Sequence, residues 1–403
     1  MKGNIKIPMA FQIRLDDVAW HIGHDERTIG KPSRTGIPRH HHSLDYTVIN
    51  ELGKALDMKI NCAIVLGEWD KSNILRGQNS LTWDPDGWDR ASQIDMEYAE
   101  KAFEHLEGSE YIDYTLHGVM HGHYDKGLQV TEREFYTRIY DKENNCYTKE
   151  FTWQTDDEVR LHLDYFYKLY DMWGFKKKIR SFACGNGCYG SEFDEGNLHY
   201  AEIFKEYGLD VWKNSWAQMT EDVTSAVISG MVALRGHQRR GKGSIPWNAF
   251  DVDPDYLDLF NDEEVAFADY SIHWPNILRW NPEKNMEYLP KWVNYFKRQS
   301  EVFGTMIAQD VIFAASQAVY NRYSKISFEE GKCIIDLSIV DEQRARALSD
   351  KFYISFRCGY SPKGCIGGEI TEYEKKSEFT TYCIERKSDN KIISRFICAE
   401  NTV

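Results

Sequence analysis

The sequence of 403 residues has no apolar run approaching the roughly 20 residues that a membrane-spanning helix needs. It opens Met1-Lys2-Gly3-Asn4-Ile5-Lys6, without the apolar core of a secretory leader. Its nine cysteines are odd in number and form no disulfide-like framework, so a reducing cytoplasm is the expected compartment. Positive charge is also scarce: 49 Lys and Arg stand against 63 Asp and Glu, for a formal net charge of -14. That balance argues against nucleic-acid binding, against docking on an anionic membrane and against a highly anionic polymer as substrate. No internal repeat or low-complexity tract occurs, and nothing sets an oligomeric state.

What is present is a globular composition, with 42% hydrophobic residues and 12 Trp. Every Trp lies at or before Trp292, whereas five of the nine Cys lie at or after Cys333. This shift predicts two units, residues 1–322 and 323–403.

Before about residue 300, strand-like and helix-like patterns alternate. Phe11, Ile13 and Leu15 recur at period two, and 60–66 reads as a buried strand. Helical stripes run through Val48, Ile49, Leu52 and Leu56, through Met96, Ala99, Ala102, Phe103 and Leu106, and through Val159, Leu163, Phe166, Leu169, Tyr170 and Trp173. Further strands are expected at 111–116, 178–183 and 264–272, with long loops at 18–43, at 67–92 and after the 111–116 strand. Repeated strand–helix units imply parallel strands with covering helices, and a barrel-like sheet would collect every strand-to-helix loop at one rim. After about 320 the segments are short and strand-like with polar turns, which predicts an all-β appendage, small and sandwich-like.

Chemistry concentrates where strands end. Asp16-Asp17 closes the first strand, and His117 and His121 follow the strand Tyr111-Ile112-Asp113-Tyr114-Thr115-Leu116. One carboxylate and two imidazoles make a ligand set for a divalent metal with positions left open, and the second carboxylate is then available as a base. Two histidines four apart fit a pair of loop histidines equally well. Adjacent carboxylates can serve one site only where a strand ends, because neighbours on an extended strand point to opposite faces. His123 is a further candidate, as a ligand-supporting or substrate-binding group.

These motifs resemble the polysaccharide deacetylase family, also called carbohydrate esterase family 4 or the NodB-homology domain. Its Asp-Asp pair is matched by Asp16-Asp17, its His-x-x-x-His motif by His117-Gly118-Val119-Met120-His121, and its terminal hydrophobic-His pair by Ile272-His273. Arg180 and Trp212 or Trp216 stand where its Arg and Trp motifs fall, and order and spacing agree over about residues 5–300. The resemblance implies a distorted (β/α) barrel. It implies Asp16 as general base, Asp17, His117 and His121 as metal ligands, His273 as general acid, and Arg180 as the group that holds the base. Zinc is the favoured metal, with Co2+, Ni2+, Mn2+ or Fe2+ suiting the same ligands. The chain departs from the family pattern at Val18, where Gly is usual, and in Arg180-Ser181-Phe182-Ala183-Cys184-Gly185-Asn186-Gly187-Cys188.

The implied activity is removal of an acyl group, N-acetyl foremost, from a carbohydrate or small N-acylated substrate. A metal-dependent amidase acting on a non-sugar amide and a non-catalytic glycan-binding barrel are the alternatives. Trp20, Trp216 and Trp274, close in sequence to site candidates, are read as substrate-stacking groups. Trp69, Trp83 and Trp88 read as loop anchors, Arg39-His40-His41-His42 as a solvated loop, and Cys184 and Cys188 as ordinary loop cysteines.

Overall fold

A computed structural model describes residues 4–18, 37, 39–188, 190, 193–213, 225–237, 249–259, 268–329, 332–387 and 391–398. Its centre is a curled sheet with eight parallel strands: β1 (Ala10–Val18), β2 (Ile60–Val65), β3 (Ile112–Gly118), β4 (Ser181–Phe182), β5 (Val211–Lys213), β6 (Met231–Leu234), β7 (Gly236–His237) and β8 (Asp269–His273). The order across the sheet is β6-β5-β4-β3-β2-β1-β8-β7. Ser225–Ile228 adds an antiparallel edge beside β6, and Met306–Ile307 pairs with β1. Only Arg235 separates β6, which pairs with β5, from β7, which pairs with β8.

Parallel neighbours need long crossovers. Helices α1 (Ser43–Leu56), α2 (Met96–Glu107), α3 (Asp156–Trp173) and α4 (Glu195–Glu206) supply them between consecutive strands from β1 to β5. Helices α5 (Asn285–Phe303) and α6 (Val311–Tyr323) follow β8. The sequence stripes are the buried faces: Val48, Ile49, Leu52 and Leu56 on α1, and Val159, Leu163, Phe166, Leu169, Tyr170 and Trp173 on α3.

All nine residues of β1 are buried, so its period-two pattern does not separate core from water. It separates two kinds of interior. Phe11, Ile13 and Leu15 belong to the main apolar core, while Gln12, Arg14 and Asp16 enter a polar network. In that network Lys213 Nζ donates to Gln12 Oε1 (2.7 Å) and Asn61 Oδ1 (3.0 Å) and lies 3.2 Å from Asp269 Oδ1. A buried ammonium is tolerated only with such partners.

Two expectations need correction. The stretch after His121 is not a plain loop but two hairpins, His123–Asp125 with Leu128–Thr131 and Tyr136–Asp141 with Cys146–Trp153. Arg39–His42 is solvated only in part, since His40 and His42 are exposed and the other two are not. His42 caps α1 in a capping box with Asp45, Arg39 clasps the same carboxylate at 2.8 Å through two nitrogens, and His41 is buried in stacking contact with Trp274.

Past α6 the chain forms antiparallel sheets, but with a short helix at Ser338–Glu342, so the region is not wholly β. One orders Ile5–Lys6, Lys351–Arg357, Phe379–Arg386 and Gly368–Lys375; the other orders Lys325–Glu329, Lys332–Asp336, Lys391–Cys398 and Tyr360–Ile366. Ile5–Lys6 thus lies in a sheet built mainly from residues beyond 350. A second core joins Ile7, Met9, Val232 and Leu234 to Val319, Phe352, Ile354 and Ile384. No described helix is long and apolar enough to cross a membrane.

Candidate metal centre

The C-terminal ends of β1, β3, β4 and β8 share one rim of the sheet. His273 sits in register with Asp16 across the β8–β1 pair. Two β-bulges shape this rim. Between Leu15/Cys62 and Val18/Ile64, β1 has one residue more than β2, and Asp17 takes φ +63°. Between Ile64/Leu116 and Val65/Gly118, β3 has one more than β2, placing His117 at the irregularity. A bulge re-aims a side chain that regular alternation would send to the other face. This is how adjacent Asp16 and Asp17 both serve the rim, although the strand continues to Val18. His121 also has a positive φ, +51°. Non-glycine residues in this region are uncommon and concentrate at functional sites.

Asp17, His117 and His121 each offer a ligand atom, all within 4.8 Å of one another. Asp17 Oδ1 lies 3.5 Å from His117 Nε2 and 3.6 Å from His121 Nε2. Ligand atoms about 2.0–2.2 Å from a shared zinc ion at tetrahedral angles are roughly 3.3–3.6 Å apart. Asp17 Oδ1 is buried between the two imidazoles, so a cation seated among the three would neutralise its charge there. The other nitrogen of His117, Nδ1, lies 2.7 Å from Ala183 O. A proton on Nδ1 donated to that carbonyl leaves Nε2 as the lone-pair nitrogen facing Asp17. Gly185 lies against the His121 ring; a Cβ there would meet Nε2 at 2.7 Å. The three residues have the composition and spacing to bind a metal ion.

Asp16 has different surroundings. Arg14 Nε lies 3.0 Å from its Oδ1, and Ser271 Oγ donates to its Oδ2 at 2.9 Å. Arg14 Nη2 in turn donates to Ser271 Oγ at 2.8 Å, closing a ring across two strands. Asp16 thus faces a guanidinium through Oδ1 and accepts a hydroxyl hydrogen bond at Oδ2. Burial pushes its pKa up, but Arg14, His117 and His273 outweigh this and hold it below the usual carboxylate range. For Asp17 burial is likewise opposed, by His121 and by a hydrogen bond with His117, and the net direction is down. His117 itself is raised: burial disfavours its charge, but Asp17 and Asp16 prevail.

His273 Nε2 stands 3.9 Å from Asp17 Oδ2, across the site from His117 and His121. Its backbone N–H donates to Asn276 Oδ1 at 2.9 Å, fixing the turn into Trp274-Pro275.

Several expected site residues lie elsewhere. Arg180 precedes β4 and pairs with Asp210 at the opposite end of the sheet, so the guanidinium on Asp16 is that of Arg14. Trp274 is fully buried, stacked on His41 at 3.9 Å, and donates to Asp45 O, so it offers no face to a ligand. Trp69 packs on Trp173, and Trp88 donates to Asp70 Oδ2, as loop anchors do. His123 begins a hairpin strand and its ring lies 6.4 Å from that of His162; burial lowers its pKa to about 4. Trp20 and Trp216 lie outside the described residues.

Sequence reasoning missed Arg14, Ser271 and Glu134. Arg14 was detectable, because two residues before Asp16 on a strand is the same face. Ser271 bears the same relation to His273. Glu134, whose carboxylate accepts from the backbone N–H groups of Val119 and Met120, leaves no sequence signal. Comparison of the chain with family models, with curated proteins and with solved structures returned no match.

Proposed function

We propose that the chain is a metal-dependent hydrolase that removes an acyl group, N-acetyl foremost, from a carbohydrate or related small substrate. The observation that carries this reading is the division of labour between adjacent carboxylates. Asp17 points an oxygen at two imidazoles, whereas Asp16 is held by Arg14 and Ser271. A glycan-binding barrel has no need of a separate tethered carboxylate or of His273 opposite it. Zinc is the favoured occupant of Asp17, His117 and His121. A divalent cation there would supply Lewis acidity towards an acyl oxygen and acidify a water.

The chain's own groups do the proton work. Asp16 accepts the proton of the attacking water as the new C–O bond forms. Arg14 and Ser271 keep its oxygens aimed while it does so. His273 delivers a proton to the departing nitrogen as the C–N bond breaks, because an amine anion is a very poor leaving group. The pairing of the run 231–237 with β5 at one end and β8 at the other supports a sheet closed into a distorted (β/α) barrel.

A second reading is favoured by one observation. Trp274, Trp69 and Trp88 are buried anchors, so these indoles offer a sugar ring no stacking surface. An amidase acting on a small non-sugar N-acyl compound needs none. The test is acetate release from N-acetylated sugars and from non-sugar acetamides by metal-stripped and metal-restored protein. Metal-dependent turnover of sugars supports the first reading, turnover of non-sugar amides alone the second. Metal binding without turnover of either would leave a binding protein.

A further inference from the structure

We propose that Glu134 and His162 are positioning residues for the metal centre, holding the His117–His121 turn in the conformation that aims both imidazoles at Asp17. This rests on reading Asp17, His117 and His121 as a cation site. The turn is unusual: Gly118 has φ +117° and His121 has φ +51°. A chain left to itself rarely adopts two such residues three apart. Glu134 supplies what stabilises them. Its Oε1 accepts from Val119 N–H at 2.6 Å and its Oε2 from Met120 N–H at 2.9 Å. Successive N–H groups of this kind form a concave anion seat. His162, on α3, places Nδ1 3.0 Å from Glu134 Oε1. From the other side Gly67 N–H donates to Val119 O at 2.7 Å.

Neither Glu134 nor His162 has any exposed surface. A buried carboxylate is costly unless its acceptor sites are filled, and here both oxygens are used on the turn and on His162. Burial raises the pKa of Glu134, but the hydrogen bond and charge of His162 and the two N–H groups outweigh it and hold the group down. The approach is so close that a Cβ on Gly118 would strike the Glu134 carboxylate, which accounts for glycine between the two ligand-bearing positions. Neither residue has a part in the proton transfers proposed above. The pair acts on the site through the backbone at 119 and 120.

The experiment measures zinc affinity by chelator competition and the visible spectrum of the Co2+-loaded protein. Wild type, E134Q, H162L and H162N are compared, with far-UV circular dichroism of each metal-free form. Gln keeps the size of Glu134 but replaces one acceptor oxygen with a donor facing N–H or Nδ1–H. E134Q should bind zinc about tenfold to a hundredfold more weakly and show an altered Co2+ spectrum, with native metal-free dichroism. H162L should shift in the same direction. H162N can still donate to Glu134 and should return towards wild type, a rescue that a purely space-filling role would not produce. If E134Q does not fold, the two His162 variants decide. Unchanged zinc affinity and Co2+ spectrum in E134Q and H162L, with wild type binding one equivalent, would overturn the positioning role alone. Failure of wild type to bind either metal would overturn the centre itself.

Discussion

Two arginine–aspartate pairs stand at opposite ends of the same sheet. At the rim, Arg14 and Asp16 are both buried, and Ser271 and Asp269 complete their surroundings. At the other end, Arg180 is 30% exposed and shares Asp210 with Arg346 from the C-terminal region. The chemistry of the pair is the same; the environment differs. The buried pair fixes the orientation of one carboxylate beside a second that faces two imidazoles, which is what a reactive site needs. The other pair, a partly exposed arginine on the buried Asp210, ties the sheet to the region beyond residue 325 through Arg346, and water screens its arginine side. An arginine near a strand end therefore says little until it is known which end, and what it faces.

The largest expected effect tests the end of the sheet that carries Arg180. A chain stopped after residue 322 loses Phe352, Ile354 and Ile384 from a core shared with Met9, Val232 and Leu234. It also leaves Ile5–Lys6 without its partner strand. Such a truncation should be insoluble or lack cooperative unfolding. A soluble, cooperatively folded product would show that the parallel sheet and its helices stand alone.

At the rim, His117→Ala and His121→Ala should each lose stoichiometric metal by elemental analysis, and Asp17→Asn likewise. Retention of one equivalent in all three would remove the metal centre from the comparison. Asp16→Asn should keep the metal and lose on the order of a hundredfold or more in turnover, the range for a removed general base. Activity near wild type would mean that Arg14 and Ser271 hold a merely structural carboxylate.

The direct contrast comes next. Arg14→Met leaves Asp16 and Asp269 buried with less compensation and should cost roughly 3–5 kcal/mol in denaturant unfolding. Arg180→Met, where Arg346 remains on Asp210, should cost about 0–1 kcal/mol, less still at high salt. Equal costs would erase the distinction between the two ends.

Much of this was open to inspection in the sequence. The stripe on α3 is visible because a helix buries one face of a 3.6-residue repeat, and the strands because short apolar runs lie between polar turns. Asp16, Asp17, His117, His121 and His273 are chemically distinctive groups just after apolar runs, and the rim brings them together. What escaped depends on pairing between distant segments. Arg180 and Arg14 both lie near strands, and only the strand direction tells which reaches Asp16. Trp274 sits next to His273 in sequence, yet its indole is committed to His41 and Asp45. Glu134 was invisible because its work is done on backbone N–H groups, which carry no residue identity.

The sequence by itself determined the alternation of buried strands and amphipathic helices and the presence of two carboxylates and three imidazoles at strand ends. These follow from local periodicity and residue chemistry. Tertiary structure alone decided that the two carboxylates differ. The bulges in β1 and β3 exist only relative to β2, and the partners of Asp16 come from its own strand and from β8, 257 residues beyond Arg14 in the chain. Which carboxylate faces a guanidinium and which faces two imidazoles is a property of that packing, because the electrostatics of a buried group are set by its neighbours in space.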